Sequence, residues 1–192
     1  MRLSLFTREV VPFYLRFALL VLATLAIDAL LHWFNVVWIG RYLGIAGALL
    51  IIGSFGYSLR KRKFVTVGKP VTLLRLHERM AWTGSLLILV HAGIHFNALL
   101  GWLAVAAMLV NIASGLTGKF LLHRARIRFE ATKSEMLAQG LYDGGLEDSL
   151  YWDQLTLDAL KQWRVVHYPI TLAFAVLALG HIVSIFLFWG WR

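Results

Sequence analysis

The chain has 192 residues, of which 59% are hydrophobic, and its mean hydropathy is +0.71. A water-soluble domain is closer to half apolar, so this composition excludes an ordinary soluble fold. There are no cysteines, which excludes disulfides, thiolate metal sites and covalently attached haem. The net charge of +9 does not indicate nucleic acid, because the basic residues cluster at the ends of apolar runs, where they meet lipid headgroups.

Five apolar runs are long enough to cross a bilayer, since about 20 helical residues span a hydrocarbon layer of about 30 Å. In chain order they are Val11–Leu31, Val36–Leu59, Leu73–Ala98, Leu99–Leu122 and Val165–Trp189. The first run continues past the length of a signal peptide and is interpreted as a retained span. The predicted fold class is an all-α membrane protein, a single five-transmembrane-helix bundle formed by residues 1–192.

Positive charge is distributed unequally among the connections. Segment 60–69 carries five lysines and arginines, and the polar segment at about 123–164 opens with three arginines, whereas the short turns 32–35 and 96–100 carry none. The positive-inside rule therefore predicts a cytoplasmic N-terminus and an external C-terminus, as in a bacterial inner membrane. The third and fifth spans consequently run in the same direction.

Acidic residues are concentrated in the polar segment. Seven of the ten lie between Glu130 and Asp158. This stretch has some helical periodicity and a break at Gly144–Gly145. Two interpretations remain open: a solvated cap over the bundle, and a docking surface on residues 130–158 for a basic redox partner protein or subunit.

Four of the seven histidines show a repeated spacing. His77 and His91 lie 14 residues apart on the third span, and His167 and His181 lie 14 apart on the fifth. Fourteen residues make nearly four helical turns and advance about 21 Å, so each pair shares one face at two depths. Because the spans are parallel, His77 matches His167 near the inner surface, and His91 matches His181 in the outer half.

Two imidazoles from facing helices at one depth can supply both axial ligands of a haem iron. Ionisable side chains inside a membrane are costly and indicate function. The spacing therefore predicts two stacked b haems, one held by His77 and His167 and the other by His91 and His181. A non-redox alternative uses these histidines as transition-metal ligands or proton relays in a transporter or scaffold.

Other residues near the histidines have candidate roles. The arginines expected to pair with haem propionates are Arg75, Arg79, Arg164 and Arg41, although positive-inside flanking explains the first three equally well. Gly84, midway between His77 and His91, either leaves space between the haems or packs against another helix. His95 is a weaker ligand candidate, because the matching position on the fifth span is Ile185.

Small residues mark predicted packing faces on the second and fourth spans. On the second they are Gly40, Gly44 and Gly47, and on the fourth they are Ala107, Asn111, Gly115 and Gly118. Phe174, at the midpoint of the fifth span, is either an aromatic between the haems or an ordinary core residue.

The segments LHERMAWTGSLLILVHAGIH and WRVVHYPITLAFAVLALGH resemble the third and fifth helices of the ferric reductase-like transmembrane domain. That family includes superoxide-generating NADPH oxidases and metal reductases, and cytochrome b of quinol–cytochrome c oxidoreductases has a similar histidine plan. The resemblance spans roughly residues 40–189 and implies the same two haem pairings. The sequence departs from the family in having no sixth span and no G-x-G-x-x-G fingerprint after the last helix, so we expect the electron donor and acceptor to be other molecules.

These observations predict a membrane haem subunit that relays electrons between the two faces of the membrane for a multi-component oxidoreductase. Bis-histidine ligation leaves no open iron position, so no residue is predicted to be catalytic. The alternative is a chain that itself oxidises or reduces a membrane quinone beside one haem. In that case the candidates for proton transfer are His95, His32, Asp28 and His123.

Overall fold

A computed structural model of the chain describes residues 11–94, 98–117 and 147–189, with residues 127, 129–131, 134 and 138 between them. The described elements are all helical, which confirms the all-α prediction. The helices with described bounds are α1 (Val11–Trp33), α2 (Ile39–Ser54), α3 (Gly56–Lys61), α4 (Pro70–Ile94), α5 (Leu99–Thr117) and α6 (Glu147–Ser184), and a π-helical segment (Ile185–Trp189) follows α6.

Four stretches of described helix are long and apolar enough to cross a membrane: Tyr14–Trp33, Ile39–Lys61, Leu99–Thr117 and Val165–Phe188. Large apolar side chains cover their outer surfaces, and Leu15 is 64% exposed and Leu49 63% exposed. Exposure of this much apolar surface is unfavourable in water and favourable in lipid. Four predicted spans are therefore supported by the helices, as expected of an integral membrane protein.

Helix α4 covers most of the third predicted span, from Leu73 to Ile94, but is not among those four stretches. With 25 residues it is long enough to cross a bilayer. Its first half, however, carries Arg75, His77, Glu78 and Arg79, which lower its apolar character. A count of five spans remains a prediction.

The short connection predicted between the first two spans is present. Helix α1 ends at Trp33 and α2 begins at Ile39. Asn35, in the turn, has a φ of 56°, a left-handed conformation that asparagine tolerates better than most residues with a side chain.

Helix α6 begins well before the predicted fifth span. It starts at Glu147, soon after the predicted Gly144–Gly145 break, and continues to Ser184. The acidic residues from Glu147 to Asp158 therefore belong to the same helix as the span. The predicted boundary at Arg164 has no counterpart in the backbone, because good helix formers such as leucine, glutamine and lysine continue through it.

The chain divides into two compact units, which are described separately. One is formed by Met1–Phe17 with Leu109–Phe174, and the other by Ala18–Met108 with Ala175–Arg192. The first unit contains the C-terminal half of α5 and most of α6, and Phe174 is buried in it. The second contains α2, α3 and α4.

Within the second unit, α2 and α4 pack antiparallel at close range. A Cβ added to Gly47 would lie 2.8 Å from the backbone oxygen of Gly84, and one added to Gly84 would lie 2.9 Å from the backbone oxygen of Gly47. Both distances are too short for a real Cβ, so this approach requires glycine on both helices. The predicted packing face on the second span is confirmed.

Candidate functional site

Two predicted ligands on α4 are held by backbone carbonyl groups of α2. The Nδ1 of His77 donates to the Ser54 oxygen at 2.9 Å, and the Nδ1 of His91 donates to the Gly40 oxygen at 2.9 Å. A carbonyl oxygen can only accept, so the proton of each neutral imidazole is on Nδ1 and the lone pair is on Nε2. This is the arrangement that a metal-ligating histidine uses, since its second nitrogen is fixed by an outer partner.

The two carbonyl groups repeat the spacing of the histidines. Ser54 and Gly40 are 14 residues apart on α2, as His77 and His91 are on α4. In an antiparallel pair of helices, equal spacing on the two helices places two equivalent contacts one above the other. The two imidazoles are therefore anchored in the same way at two depths.

Gly44 makes the space for His91. A Cβ at Gly44 would lie 2.8 Å from Cγ and Nδ1 of the imidazole and 2.9 Å from Cδ2. Any larger residue would push the ring away from the Gly40 carbonyl. The orientation of His91 is thus set by a glycine on one side and a hydrogen bond on the other.

The surroundings of His77 are different. Ser54 is the last residue of α2 and is buried, and its hydroxyl donates to the Ile51 carbonyl at 2.6 Å. Carbonyl groups at the end of a helix have no partner within that helix, so His77 satisfies one of them. The Tyr57 ring lies beside His77, with the ring centroids 5.8 Å apart.

In the first unit, His167 contacts α5 through a hydroxyl. Its Nδ1 lies 3.2 Å from Oγ of Ser114, which is buried. One turn further along α6, the Thr171 hydroxyl lies 2.8 Å from Oδ1 of Asn111 and 2.7 Å from the His167 carbonyl oxygen of its own helix, so its one proton is available to either acceptor. Gly115 also faces His167, since a Cβ there would lie 3.7 Å from the ring. Asn111 and Gly115 thus belong to a contact face, as predicted for the fourth span.

His181 belongs to the second unit, together with His91. It lies within electrostatic range of His91, and a Cβ at Gly101 would lie 3.4 Å from its ring. Its Nδ1 is buried and has no hydrogen-bond partner among the described residues. A buried imidazole nitrogen without a partner is costly.

The predicted outer pair, His91 and His181, belongs to one unit, and its pairing at a haem remains a prediction. His77 and His167 belong to different units, and their pairing remains a prediction. Among the described residues, no group of three or more histidine, aspartate or glutamate side chains could hold a metal ion.

The other predicted site residues are placed as follows. Arg41 follows Gly40 in the first turn of α2, at the level of His91, and its side chain is exposed. Arg75 and Arg79 are exposed on α4, on either side of His77. Arg164 lies in α6, but its side chain is outside the described set, as are His95 and His123 altogether. Of the two roles considered for Gly84, the structure shows helix packing, because Gly84 contacts Gly47 on α2.

An acidic side chain on α1 faces α4. Asp28 Oδ1 is buried, and within the described chain it has no hydrogen-bond partner. It lies 3.7 Å from where a Cβ of Gly93 would be, two residues beyond His91. His32 Nδ1 donates to the Asp28 backbone oxygen at 2.9 Å and lies 3.6 Å from Oδ1.

Several contact residues were not predicted from the sequence, namely Ser54, Tyr57, Ser114 and Thr171. Of these, Ser54 has a signal in the sequence, because it lies 14 residues from Gly40, the same spacing as the histidines. Gly101 and Gly115, which face His181 and His167, are also 14 residues apart.

No protein-family model, curated protein or solved structure matches this chain. Its function is therefore inferred from the site itself.

Proposed function

We propose that the chain is a membrane cytochrome b that transfers electrons across the bilayer through two bis-histidine haems. The observation that carries the proposal is the matched anchoring of His77 and His91 by two carbonyl groups of α2. A haem needs only two protein ligands, because its porphyrin supplies the other four, whereas a bare metal ion generally takes three or more. Pairs of oriented imidazoles suit the haem.

In this proposal His91 and His181 hold one haem, and His77 and His167 hold the other. Haem supplies a one-electron iron couple when it is bound. The chain orients the imidazoles through the Nδ1 hydrogen bonds of α4, and the surrounding apolar helices exclude water. Arg41, at the level of His91, is the proposed partner of an outer propionate, and Arg75, Arg79 and Arg164 are the proposed partners of the inner ones.

In the proposed bundle, α4 crosses the membrane as the third of five spans. The polar residues of α4 need not face lipid, because α2 covers the histidine-bearing face with glycines and carbonyl groups. We infer the orientation from the distribution of positive charge, with segment 60–69 in the cytoplasm and Arg192 on the opposite side of the inner membrane.

The proposed role is that of a subunit within an oxidoreductase, with a separate redox protein as its partner. The acidic segment 130–158 is the proposed docking surface. Glu130 and Asp158, at its two ends, are both exposed. Their charge would attract a basic surface and accelerate encounter.

The purified chain is expected to contain two b haems per polypeptide, both six-coordinate and low-spin, because both axial positions are filled by histidine. An optical spectrum together with a pyridine haemochrome assay measures this directly. One haem per chain, or a spectrum that changes on adding carbon monoxide, would contradict the pairing. Bound transition metal without haem would favour the metal-transport alternative.

A second candidate function is quinone oxidation or reduction beside the outer haem. Asp28 favours it, since a buried carboxyl oxygen without a hydrogen-bond partner in the described chain is costly in a membrane span and indicates a role in proton transfer. Quinol releases its protons together with its electrons, so a nearby carboxylate and His32 could accept them.

Asp28→Asn is expected to slow quinol-driven haem reduction by about 10²-fold, because an amide cannot accept the proton. Stopped-flow spectroscopy with a soluble quinol measures the rate, and dithionite gives the total reducible haem. Asp158→Asn, which changes an exposed acid, is the matched control and should leave the rate unchanged. Equal rates in the Asp28 variant and the parent chain would remove the support for this candidate.

A further inference from the structure

Segment 60–69 is a basic loop that follows α3 and leads into α4. It carries five lysines and arginines, and the sequence has no acidic residue between Asp28 and Glu78. Residues 61–70 are all exposed. The apolar stretch Ile39–Lys61 ends as the segment begins, so the loop is at the level of the lipid headgroups when that stretch crosses a membrane.

The backbone of the segment is fixed at both ends. The Phe64 N–H donates to the Leu59 oxygen at 3.0 Å, and the Lys63 N–H donates to the Arg60 oxygen at 3.1 Å. These two bonds form the Schellman motif that closes the C-terminus of a helix. At the other end, Nε of Arg60 donates to the Gly68 oxygen at 3.3 Å, and Gly68 has a φ of 93°. The segment is therefore a turn of defined shape, closed across its width by Arg60.

Lys63 occupies a position that favours glycine. It is the residue after the C-cap of α3, and its φ is 63°, in the left-handed region where glycine is the usual residue of this motif. Any side chain there costs free energy, because its Cβ crowds the backbone. The Lys63 side chain is exposed. Lysine thus supplies what glycine would lack at this position, namely a positive charge on the surface of the turn.

Two large apolar side chains stand beside these charges. Phe64 is 76% exposed and Val67 is 77% exposed. Apolar side chains next to lysine and arginine at the end of a span suit the boundary between headgroups and acyl chains. An acidic protein surface would offer partners for the charges alone. An anionic lipid offers a phosphate group for the charges and acyl chains for the apolar side chains.

We propose that segment 60–69 binds an anionic phospholipid of the bilayer. The phosphate group lies against Lys63 and the neighbouring cations, and the glycerol end of the acyl chains lies against Phe64 and Val67. Bound lipid would also hold α3 against α4, since the segment joins these two helices. The inference is independent of haem binding, because no residue of the segment is a proposed haem ligand or propionate partner.

Lipid retention by the purified full chain, measured by native mass spectrometry, tests the proposal. The protein is transferred to a neutral detergent and mixed with equal amounts of phosphatidylglycerol and phosphatidylcholine. The parent chain should retain phosphatidylglycerol preferentially. Lys63→Gly should weaken phosphatidylglycerol binding by about fivefold, the usual effect of one basic residue at an anionic membrane surface. Lys63→Arg keeps the charge and should keep the parent affinity.

Two further variants separate the contributions of charge, backbone and apolar contact. Lys63→Ala removes the charge but keeps a side chain in the left-handed conformation, so it should lose the same lipid affinity as Lys63→Gly. In lipid-free detergent Lys63→Ala should unfold near the parent temperature, whereas Lys63→Gly should unfold higher because the backbone conformation is relieved. Phe64→Ser keeps the net charge and should also lower phosphatidylglycerol retention.

Equal retention of the two lipids by the parent chain would overturn the proposal, as would parent-like affinity in Lys63→Gly or Phe64→Ser. Glycerol 3-phosphate and a polyglutamate peptide serve as competitors that lack acyl chains. Displacement of the lipid by an equal concentration of glycerol 3-phosphate would indicate a simple phosphate site, and displacement by the peptide would indicate an acidic protein partner. Either displacement contradicts the proposed lipid.

Discussion

His91→Ala and His181→Ala are each expected to remove the same haem and to lower the haem content to about half, because an iron that loses one axial imidazole is five-coordinate and weakly held. The structure places these two histidines in one unit, within electrostatic range of each other. Haemochrome assays of the single and double variants measure the loss. The double variant should lose no more haem than either single variant.

The same measurement on His77→Ala and His167→Ala should show loss of the other haem, which redox titration distinguishes by its midpoint. His32→Ala is the matched control, since His32 bonds to a carbonyl group of its own helix, and it should retain both haems. His95→Ala should also retain both. If His77→Ala and His181→Ala removed the same haem, the two spans would be antiparallel and the pairing would be wrong.

Gly84→Ala is expected to lower the free energy of unfolding by about 1–3 kcal/mol, the usual effect of overpacking a tight contact. The new methyl group would lie 2.9 Å from the Gly47 carbonyl oxygen, and neither backbone can move without separating α2 from α4. The acceptors of both His77 and His91 are on α2, so haem should also dissociate at lower temperature. Thermal unfolding in detergent, followed at the haem absorption band, measures both effects.

Gly56→Ala is the control for this substitution. It adds the same methyl group to a glycine in α3, where a Cβ would have nothing within 4 Å. Its unfolding temperature should stay near that of the parent chain. Equal stability of the Gly84 and Gly56 variants would show that α2 and α4 are not held by this contact.

The sequence by itself determined the properties that depend on one segment at a time. The apolar runs predict the membrane helices to within a few residues in α1 and in α2 together with α3, because length and composition are local. The turn near Asn35 was also predictable from its turn-forming residues, whereas the predicted break at Gly144–Gly145 lies outside the described residues. The spacing of His77 and His91 placed them on one face of α4, since helical geometry is nearly constant.

Only the tertiary structure decided which nitrogen of each imidazole is engaged and by what. The Ser54 and Gly40 carbonyl groups carry no side-chain pattern, and Ser114 is one of several small polar residues on α5. Whether Gly84 faces a neighbouring helix also depends on how far α2 and α4 are rotated and shifted along each other. Rotation and shift are set by contacts between residues distant in sequence, so helical periodicity within a single segment does not contain them.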